Sequence, residues 1–166
     1  VLGLTMGMQP IVGYNFGAQK IDRVKQTLRL GIISGVVITS SGFVICEFFP
    51  HAVSALFTDS DELINLAVEG IRLAVLMFPF VGAQIVIGNF FQSIGKAKIS
   101  IFLSLTRQLL YLLPCLLLFP QWWGLKGVWI SMPVSDALAF VTAVISLMIY
   151  IKKVSKEHPI ANKVAE

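Results

Sequence analysis

Charged residues are scarce in this 166-residue chain: they make up 13% of it, whereas hydrophobic residues make up 56%. Soluble domains average about 25% charged residues. A chain of this size must cover its surface with polar groups to dissolve in water, and this one has too few of them. Its surplus apolar surface therefore requires a lipid bilayer or a large protein partner.

Motifs that would indicate an enzyme are also missing. The sequence contains no G-x-S-x-G, H-E-x-x-H, G-x-G-x-x-G or Walker pattern, each of which places specific groups around a reacting bond or a phosphate. The two histidines, His51 and His158, have no second ligand at a useful spacing. We therefore expect no enzyme activity, no bound metal and no cofactor.

Cysteine is rare as well. Cys46 and Cys115 both lie in apolar runs and neither belongs to a C-x-x-C pair. A secreted disulfide framework would need more cysteines in a shorter, more polar chain. We predict buried free thiols; a disulfide near the outer membrane face is the alternative.

The formal net charge is +4, but its distribution excludes one obvious partner. The basic residues cluster in short breaks between apolar runs, and no basic face with interleaved aromatic residues is present. Nucleic-acid binding is therefore not expected.

Long apolar runs are what the sequence does contain. A helix needs about 20 mostly apolar residues to cross the hydrocarbon core, and five runs approach or exceed this length. In chain order they are segment A (1–17), B (27–49), C (63–93), D (99–119) and E (127–151). Segment A is short and reads as the end of a helix that begins upstream. The prediction is an all-α membrane protein, a polytopic bundle of about four complete transmembrane helices and the end of a fifth in residues 1–151. Residues 152–166 form a polar tail that begins as a helix extension and ends disordered.

The breaks between these segments alternate in charge. The A–B break has four basic residues against one acid, the B–C break has three acids and no base, and the C–D break and the tail are again basic. Because basic residues mark cytoplasmic loops, the pattern predicts a multi-pass protein of the cell membrane with a cytoplasmic C-terminus. Trp122 and Trp123, in the D–E break, suit an interfacial aromatic belt. Buried helices of a large soluble protein are the alternative, but their loops need not follow a charge rule.

Polar residues within the apolar segments are the candidate site residues. Hydrocarbon penalises unpaired polar groups, so those retained there usually face a bundle interior or a water-filled cavity. The candidates are Gln9, Asn15, Gln84, Asn89, Gln92, Arg107, Gln108 and Asp136.

Two of these candidates carry charge at a similar predicted depth. Arg107 and Asp136 each lie eight or nine residues from the cytoplasmic start of their helix, so they could form a charge pair or a proton-linked carboxylate on a transport pathway. A structural interhelical salt bridge is the alternative. Nearer the outer end, Glu69 and Arg72 are spaced to pair with each other, whereas Glu47 sits near an interface where water can solvate it.

Glycine and proline add two further expectations. Three G-x-x-x-G pairs support close helix packing in lipid: Gly3 with Gly7, Gly13 with Gly17, and Gly31 with Gly35. Prolines inside segments predict kinks, because each removes a backbone hydrogen bond. These prolines are Pro10, Pro79, Pro114 and Pro133.

A motif closes segment A: Gly7, Pro10, Gly13, Asn15, Gly17 and Ala18. Their spacing resembles the G-x-x-P-x-x-G-x-N-x-G-A signature that ends the second helix of each half in multidrug and toxic compound extrusion (MATE) transporters. Residues 88–98 and 129–136 also resemble helix ends of that family. The resemblance covers essentially the whole chain and implies that segments A to E correspond to helices eight to twelve of a twelve-helix transporter.

The same resemblance implies a function. The complete protein would export small cationic amphipathic compounds by alternating access, driven by inward flow of Na⁺ or H⁺, and this part would need the lipid bilayer and the missing N-terminal half. Segment C has no acidic residue between Leu73 and Gly95, so the coupling carboxylate is expected in that other half. The alternatives are a lipid-linked oligosaccharide flippase of the same superfamily, and a membrane-embedded enzyme or scaffold subunit.

Overall fold

The computed structural model describes residues 1–157, and the regular structure of that part is helical throughout. This confirms the predicted all-α class. The elements are α1 (Leu2–Gly17), α2 (Ile21–Phe48), α3 (Pro50–Ala55), α4 (Asp61–Val75), α5 (Phe78–Ser93), α6 (Ala97–Leu105), a π-helical segment (Thr106–Leu112) and α7 (Leu113–Glu157).

Segment C is not one straight helix. It divides into α4 and α5, whose axes differ by 50°. Pro79 lies in the first turn of α5, where its missing N–H would have no partner in any case, and so the break falls just before it. The predicted kink is therefore present, as a change of helix rather than a bend within one.

Segment D holds a second irregularity. Pro114 has no N–H to donate to the carbonyl four residues earlier, and the preceding turns widen into the π-helical segment, where Leu113 N–H bonds to the carbonyl of Gln108. Inserted π turns are a known cause of helix distortion. They often accompany functional sites in proteins.

A sharp reversal at Gly124 interrupts α7. Gly124 has φ 56° and ψ −135°, a left-handed backbone that favours glycine. A side-chain atom added to Gly127 would collide with the carbonyl of Phe119, although eight residues of straight helix would separate the two by about 12 Å. Residues 97–123 and 125–157 are thus two antiparallel arms. The reversal at Gly124 falls within the predicted D–E break, and the helix continues up to it.

Contacts at the two ends of the bundle show that the chain passes back and forth between them. Phe16, Lys96 and Tyr150 line one cavity at the first end, whereas Arg72 and Glu47, and Lys126 and Glu69, pair at the opposite end. The chain therefore crosses the bundle four times after α1: along α2, along α4 and α5, and along each arm around Gly124.

Length and composition alone identify fewer spans. Ile21–Phe48 and Ala97–Val154 are long and apolar enough to cross a membrane, and the bent pair α4 and α5 makes a third. The 58 residues of Ala97–Val154 would extend about 87 Å as a straight helix, well beyond a hydrocarbon core of about 30 Å. The reversal at Gly124 divides this length into two passes.

Glycine brings α2 and α5 into close contact. A side-chain atom on Gly35 would lie 3.1 Å from the carbonyl oxygen of Gly82, and one on Gly31 would meet Met8 and Val86. The predicted Gly31–Gly35 pair is thus confirmed as a packing surface, with Gly82 as its partner. Gly3, Gly7 and Gly17 instead face open space, and Gly13 lies near the carbonyl of Ser93.

The core is apolar and the outer faces of the bundle are apolar too. Met8, Val12, Val86, Ile87 and Phe91 form the centre of the buried cluster. Many large aliphatic and aromatic side chains remain exposed, including Trp122 at 70% and Trp123 at 54%. A surface of this kind suits lipid, which agrees with the membrane assignment.

Two local predictions are wrong. Glu69 and Arg72 do not pair with each other: Arg72 Nε lies 3.9 Å from Glu47 Oε1, and Lys126 Nζ lies 2.6 Å from Glu69 Oε1. Neighbouring helices supply these partners, which local spacing cannot reveal. Both cysteines are free, as expected, but they are only partly buried.

The tail prediction is tested in part. Helix α7 continues to Glu157, so the tail does begin as a helix extension. The expectation of disorder at its end falls on residues 158–166, as does His158, and these lie outside the described residues.

Candidate substrate-binding cavity

A polar cavity of about 230 Å³ lies between α5 and the helix formed by α6 and the π-helical segment. It runs from the buried Gln84 to the exposed Gln92 and opens on the surface of the bundle. Helix α5 contributes Gln84, Asn89 and Gln92 to its walls. The other helix contributes Ser100, Ser104, Arg107 and Gln108.

Helical spacing explains why these polar groups meet. Gln84 and Gln92 are eight residues apart on α5, which places them on one face. Ser100, Ser104 and Gln108 recur every four residues on the facing helix and also form one stripe. Ser100 and Ser104 were not predicted as site residues, although this spacing was a sequence signal that could have identified them.

Arg107 and Asp136 form the ion pair that the sequence predicted. Arg107 Nε donates a hydrogen bond to Asp136 Oδ1 over 2.8 Å. The Arg107 side chain is 36% exposed and that of Asp136 is 9% exposed. Arg107 is among the residues that line the cavity, whereas Asp136 is not. The geometry establishes the pair; whether Asp136 also moves a proton stays a prediction.

A second polar contact joins the same two arms. Tyr111 Oη and Thr142 Oγ1 lie 2.8 Å apart, and Thr142 Oγ1 also donates to the carbonyl of Leu138. This pair was missed because neither residue stands out in an apolar run: Tyr and Thr are tolerated there without a partner. Together with the ion pair, it fixes one arm against the other beside the cavity.

Gln84 has unused hydrogen-bonding capacity inside the cavity. The residue is 8% exposed, and its Oε1 is buried without a hydrogen-bond partner among the described residues. Asn89, in contrast, donates through Nδ2 to the carbonyl of Ile85. A buried polar atom without a partner is costly, so Gln84 needs a partner that the described residues do not supply.

Gln9 and Asn15 lie apart from the cavity. Gln9 is exposed on α1, whereas Asn15 is buried and donates through Nδ2 to the carbonyl of Ile11 at 2.8 Å. The carbonyl of Asn15 also accepts from Lys20 N–H. The Gly7–Ala18 motif therefore ends α1 and starts the loop, and places Asn15 in a structural position.

A larger cavity of about 630 Å³ lies at the end of the bundle that carries Lys96 and Lys153, called the lysine-bearing end below. Phe16, Phe102 and Tyr150 contribute to its walls, and none of the predicted site residues does. The polar cavity is smaller, but five of the predicted site residues line it and Asp136 joins them through Arg107. It is therefore the better candidate site.

The chemistry available in the polar cavity is that of binding. Amides, hydroxyls and a guanidinium line it, and no described residue there is a carboxylate, thiol or imidazole that could act as a base or nucleophile. The described part of the chain also holds no group of three or more His, Cys, Asp or Glu side chains suited to a metal ion. The site can hold and orient a ligand without reacting with it.

Comparison with known proteins identifies the relatives. The MatE family matches residues 1–117. The multidrug export protein MepA of Staphylococcus aureus strain MSSA476 is 24% identical over 155 residues, which is 91% of this chain and 33% of that protein. A FAD transporter of Shewanella oneidensis is 23% identical over 142 residues, or 83% of this chain and 30% of that protein. The chain thus spans about a third of the length of these curated relatives.

Comparison with solved structures also finds similarity to MATE transporters. The MATE multidrug transporter DinF-BH is 37% identical and superposes with a TM-score of 0.83 over 89% of this chain and 33% of that one. An inward-facing MATE family transporter superposes with a TM-score of 0.87 at 19% identity, over 93% of this chain and 36% of that one. The latter likeness concerns the fold alone.

Proposed function

This chain belongs to the MATE family of multi-pass membrane transporters, and from that premise we propose that it is part of a secondary multidrug efflux transporter. The longer protein would exchange a drug for Na⁺ or H⁺ by alternating access, and this chain would supply helices eight to twelve. The resemblance of residues 7–18 to the signature that closes the second helix of each half supports that placement.

The single observation that carries the proposal is the polar cavity in a membrane bundle. Polar groups exposed to hydrocarbon destabilise a membrane protein. Amides, hydroxyls and Arg107 can line an open cavity at low cost when water or a substrate fills that cavity. Secondary transporters bind substrates near the membrane midplane among interrupted helices, and here the cavity adjoins the π-helical segment.

We propose small cationic amphipathic compounds as substrates and Na⁺ or H⁺ as the coupling ion. None of the described residues that line the polar cavity is acidic, which supports our proposal that the carboxylate that binds the ion lies elsewhere in the transporter. A single arginine lines the cavity, which is a poor match for the pyrophosphate of a lipid-linked oligosaccharide and disfavours the flippase function.

The lysine-bearing end of the bundle is proposed to face the cytoplasm, with the C-terminus on that side. Cysteines introduced at Lys153 and at Asp61 lie at opposite ends in this arrangement. In intact cells, a membrane-impermeant thiol reagent should label the cysteine at 61 and not the one at 153; the reverse pattern would invert the topology.

Dye efflux is the direct test of transport. Cells that express the complete transporter should extrude the cationic dye rhodamine 6G faster than cells with an empty vector. Collapse of the sodium gradient, or of the proton gradient, should abolish the difference and identify the coupling ion. Equal dye retention in both cell lines, with the protein present in the membrane at normal amounts, would refute the proposal.

A further inference from the structure

The larger cavity, at the lysine-bearing end, is lined by two kinds of side chain. Lys96 and Lys153 contribute positive charge, whereas most of the other walls are apolar or aromatic and include Ile99, Phe102 and Ile149. None of the described residues in this lining is acidic. The volume of about 630 Å³ lies within the range of about 300–1,000 Å³ that is typical of ligand sites. The cavity therefore suits a ligand that has both an anionic part and an apolar part.

The two kinds of side chain lie at different depths. Lys96 immediately precedes α6, and Phe102 follows it by six residues, which is about 9 Å along a helix. Lys153 lies in the last two turns of α7, and Ile149 precedes it by four residues, or about 6 Å. Because the two arms are antiparallel, both lysines lie at the end of the bundle and the apolar residues lie deeper.

The backbone adds to the positive potential at this end. Lys96 is the N-cap of α6, and its side chain makes no capping hydrogen bond. The first N–H groups of a helix have no partner within it, and the helix dipole makes them attractive to anions. Lys25 lines a small adjoining cavity that shares Phe16 and Tyr150 with the larger one. A negatively charged group here would therefore meet lysine ammonium groups and the N-terminal end of α6.

The apolar walls indicate what kind of anion fits. Phe102 and Ile149 are exposed, so they can contact acyl chains in a bilayer. A water-soluble anion would leave these walls uncovered, whereas a phospholipid offers a phosphate and an acyl chain in the order in which the cavity presents its lysines and its apolar residues. Basic pockets between transmembrane helices are known to bind anionic lipid headgroups.

We propose that this cavity binds an anionic phospholipid, with the phosphate at Lys96 and Lys153 and an acyl chain along Ile99, Phe102 and Ile149. The inference goes beyond transport, and the lipid site is separate from the polar cavity. In the orientation proposed above, the lipid comes from the cytoplasmic leaflet, where anionic lipids give the surface its negative potential. The bound lipid would bridge α6 and the second arm.

Native mass spectrometry of the complete transporter in detergent measures lipid binding directly. Three probes are compared: dioleoyl phosphatidylglycerol, dioleoyl phosphatidylcholine, and glycerol phosphate, which has the phosphate without acyl chains. The unaltered transporter should bind phosphatidylglycerol at least about tenfold more tightly than either of the others. Phosphatidylcholine lacks the net negative charge, and glycerol phosphate lacks the chain that covers the apolar walls.

The informative variant is Lys96→Gln with Lys153→Gln. Its affinity for phosphatidylglycerol should fall by about tenfold, because each lysine near an anionic headgroup contributes to binding, and its affinity for phosphatidylcholine should stay within about twofold. The matched control is Lys98→Gln with Lys152→Gln, which removes the same charge from neighbouring positions that line neither cavity. The control should lower the affinity for phosphatidylglycerol by less than about threefold.

Four results would overturn the inference. Equal losses in the two double variants would mean that the lysines attract lipid diffusely and do not form a site. Equal affinities of the unaltered transporter for the two lipids would exclude a preference for anionic lipid. Unchanged binding of phosphatidylglycerol by the Lys96 and Lys153 variant would mean that another part of the transporter fills the cavity. Glycerol phosphate bound as tightly as phosphatidylglycerol would assign the cavity to a water-soluble anion.

The proposed function is tested separately. Cells that fail to extrude rhodamine 6G would refute multidrug efflux, whereas the lipid preference is measured on the purified protein and does not depend on efflux. A lipid preference lost in the Lys96 and Lys153 variant and retained in its control would support the lipid site in either case.

Discussion

Helix α5 has two contrasting interfaces. On one side it packs against α2 through Gly35 and Gly82, so closely that a single added carbon would meet backbone atoms. On the other side it faces the π-helical segment across a cavity lined by amides, hydroxyls and Arg107. The first interface leaves no space between the helices, whereas the second leaves a cavity of about 230 Å³.

The two interfaces illustrate two ways in which helices are held together in a membrane bundle. In lipid, helix association depends on close packing and interhelical hydrogen bonds, because the acyl chains are as apolar as leucine. The glycine interface supplies the first of these between α2 and α5. The polar contacts Arg107–Asp136 and Tyr111–Thr142 supply the second between the two arms, and so fix the cavity wall.

The largest effect is expected from breaking the ion pair on one side. Arg107→Gln leaves Asp136 charged and buried, and removing one partner of a buried pair costs on the order of 3 kcal/mol, the lower end of the usual range because Arg107 is partly exposed. The double variant with Asp136→Asn should recover most of this loss. Thermal unfolding of the complete transporter measures both; a single variant as stable as the unaltered protein would show that the pair does not stabilise the bundle.

The glycine interface should be broken by the smallest possible side chain. Gly82→Ala places a carbon against the Gly35 carbonyl and the Thr39 side chain, and overpacking of this kind costs about 2 kcal/mol. The matched control is Gly88→Ala on the same helix, where the new carbon meets no atom within 4 Å. Equal thermal stabilities of the two variants would argue against the close contact of α2 with α5.

A smaller loss is expected at the second polar contact. Tyr111→Phe removes one hydrogen bond between the arms, and such bonds in membrane proteins contribute about 0.6 kcal/mol, with a maximum near 1.7. Tyr14→Phe, at an exposed position on α1, is the control. The same unfolding assay applies, and a Tyr111 variant at least as stable as its control would contradict the assigned role.

The smallest effect is expected at the exposed end of the bundle. Lys126→Gln breaks the pair with Glu69, whose side chains are 64% and 45% exposed, and exposed pairs typically contribute below about 1 kcal/mol. The shift in unfolding temperature should also shrink as salt is added. A loss as large as that of Arg107→Gln would mean that this end is buried in the complete transporter.

The predictable part of the fold was the part determined by local composition. Apolar length and the sign of each break predicted the alternation of the chain between the two ends of the bundle, and equal depth predicted the Arg107–Asp136 pair. The division of segment C at Pro79 was foreseen as a kink, because proline acts locally. Helix α2 begins at Ile21 rather than Thr27, since its first turns are polar and lie outside the apolar run.

The remaining features depend on how the helices pack together. Glu69 pairs with Lys126 instead of Arg72 because the reversal at Gly124 brings the start of the second arm beside α4. Gly82 became visible as a packing residue only through its contact with Gly35. The cavity likewise needs two helices side by side, so the spacing of Ser100 and Ser104 could indicate a polar stripe but not that α5 lies opposite it.

The central claim is that the polar cavity between α5 and the π-helical segment lies on the transport pathway. Its most direct test is a single cysteine at Ser104 in the complete transporter, with Cys46 and Cys115 replaced by alanine. A membrane-impermeant thiol reagent should label this cysteine, and saturating substrate should protect it, while a cysteine at the exposed, apolar Leu110 stays unlabelled. Failure to label position 104, or labelling that substrate leaves unchanged, would contradict the claim.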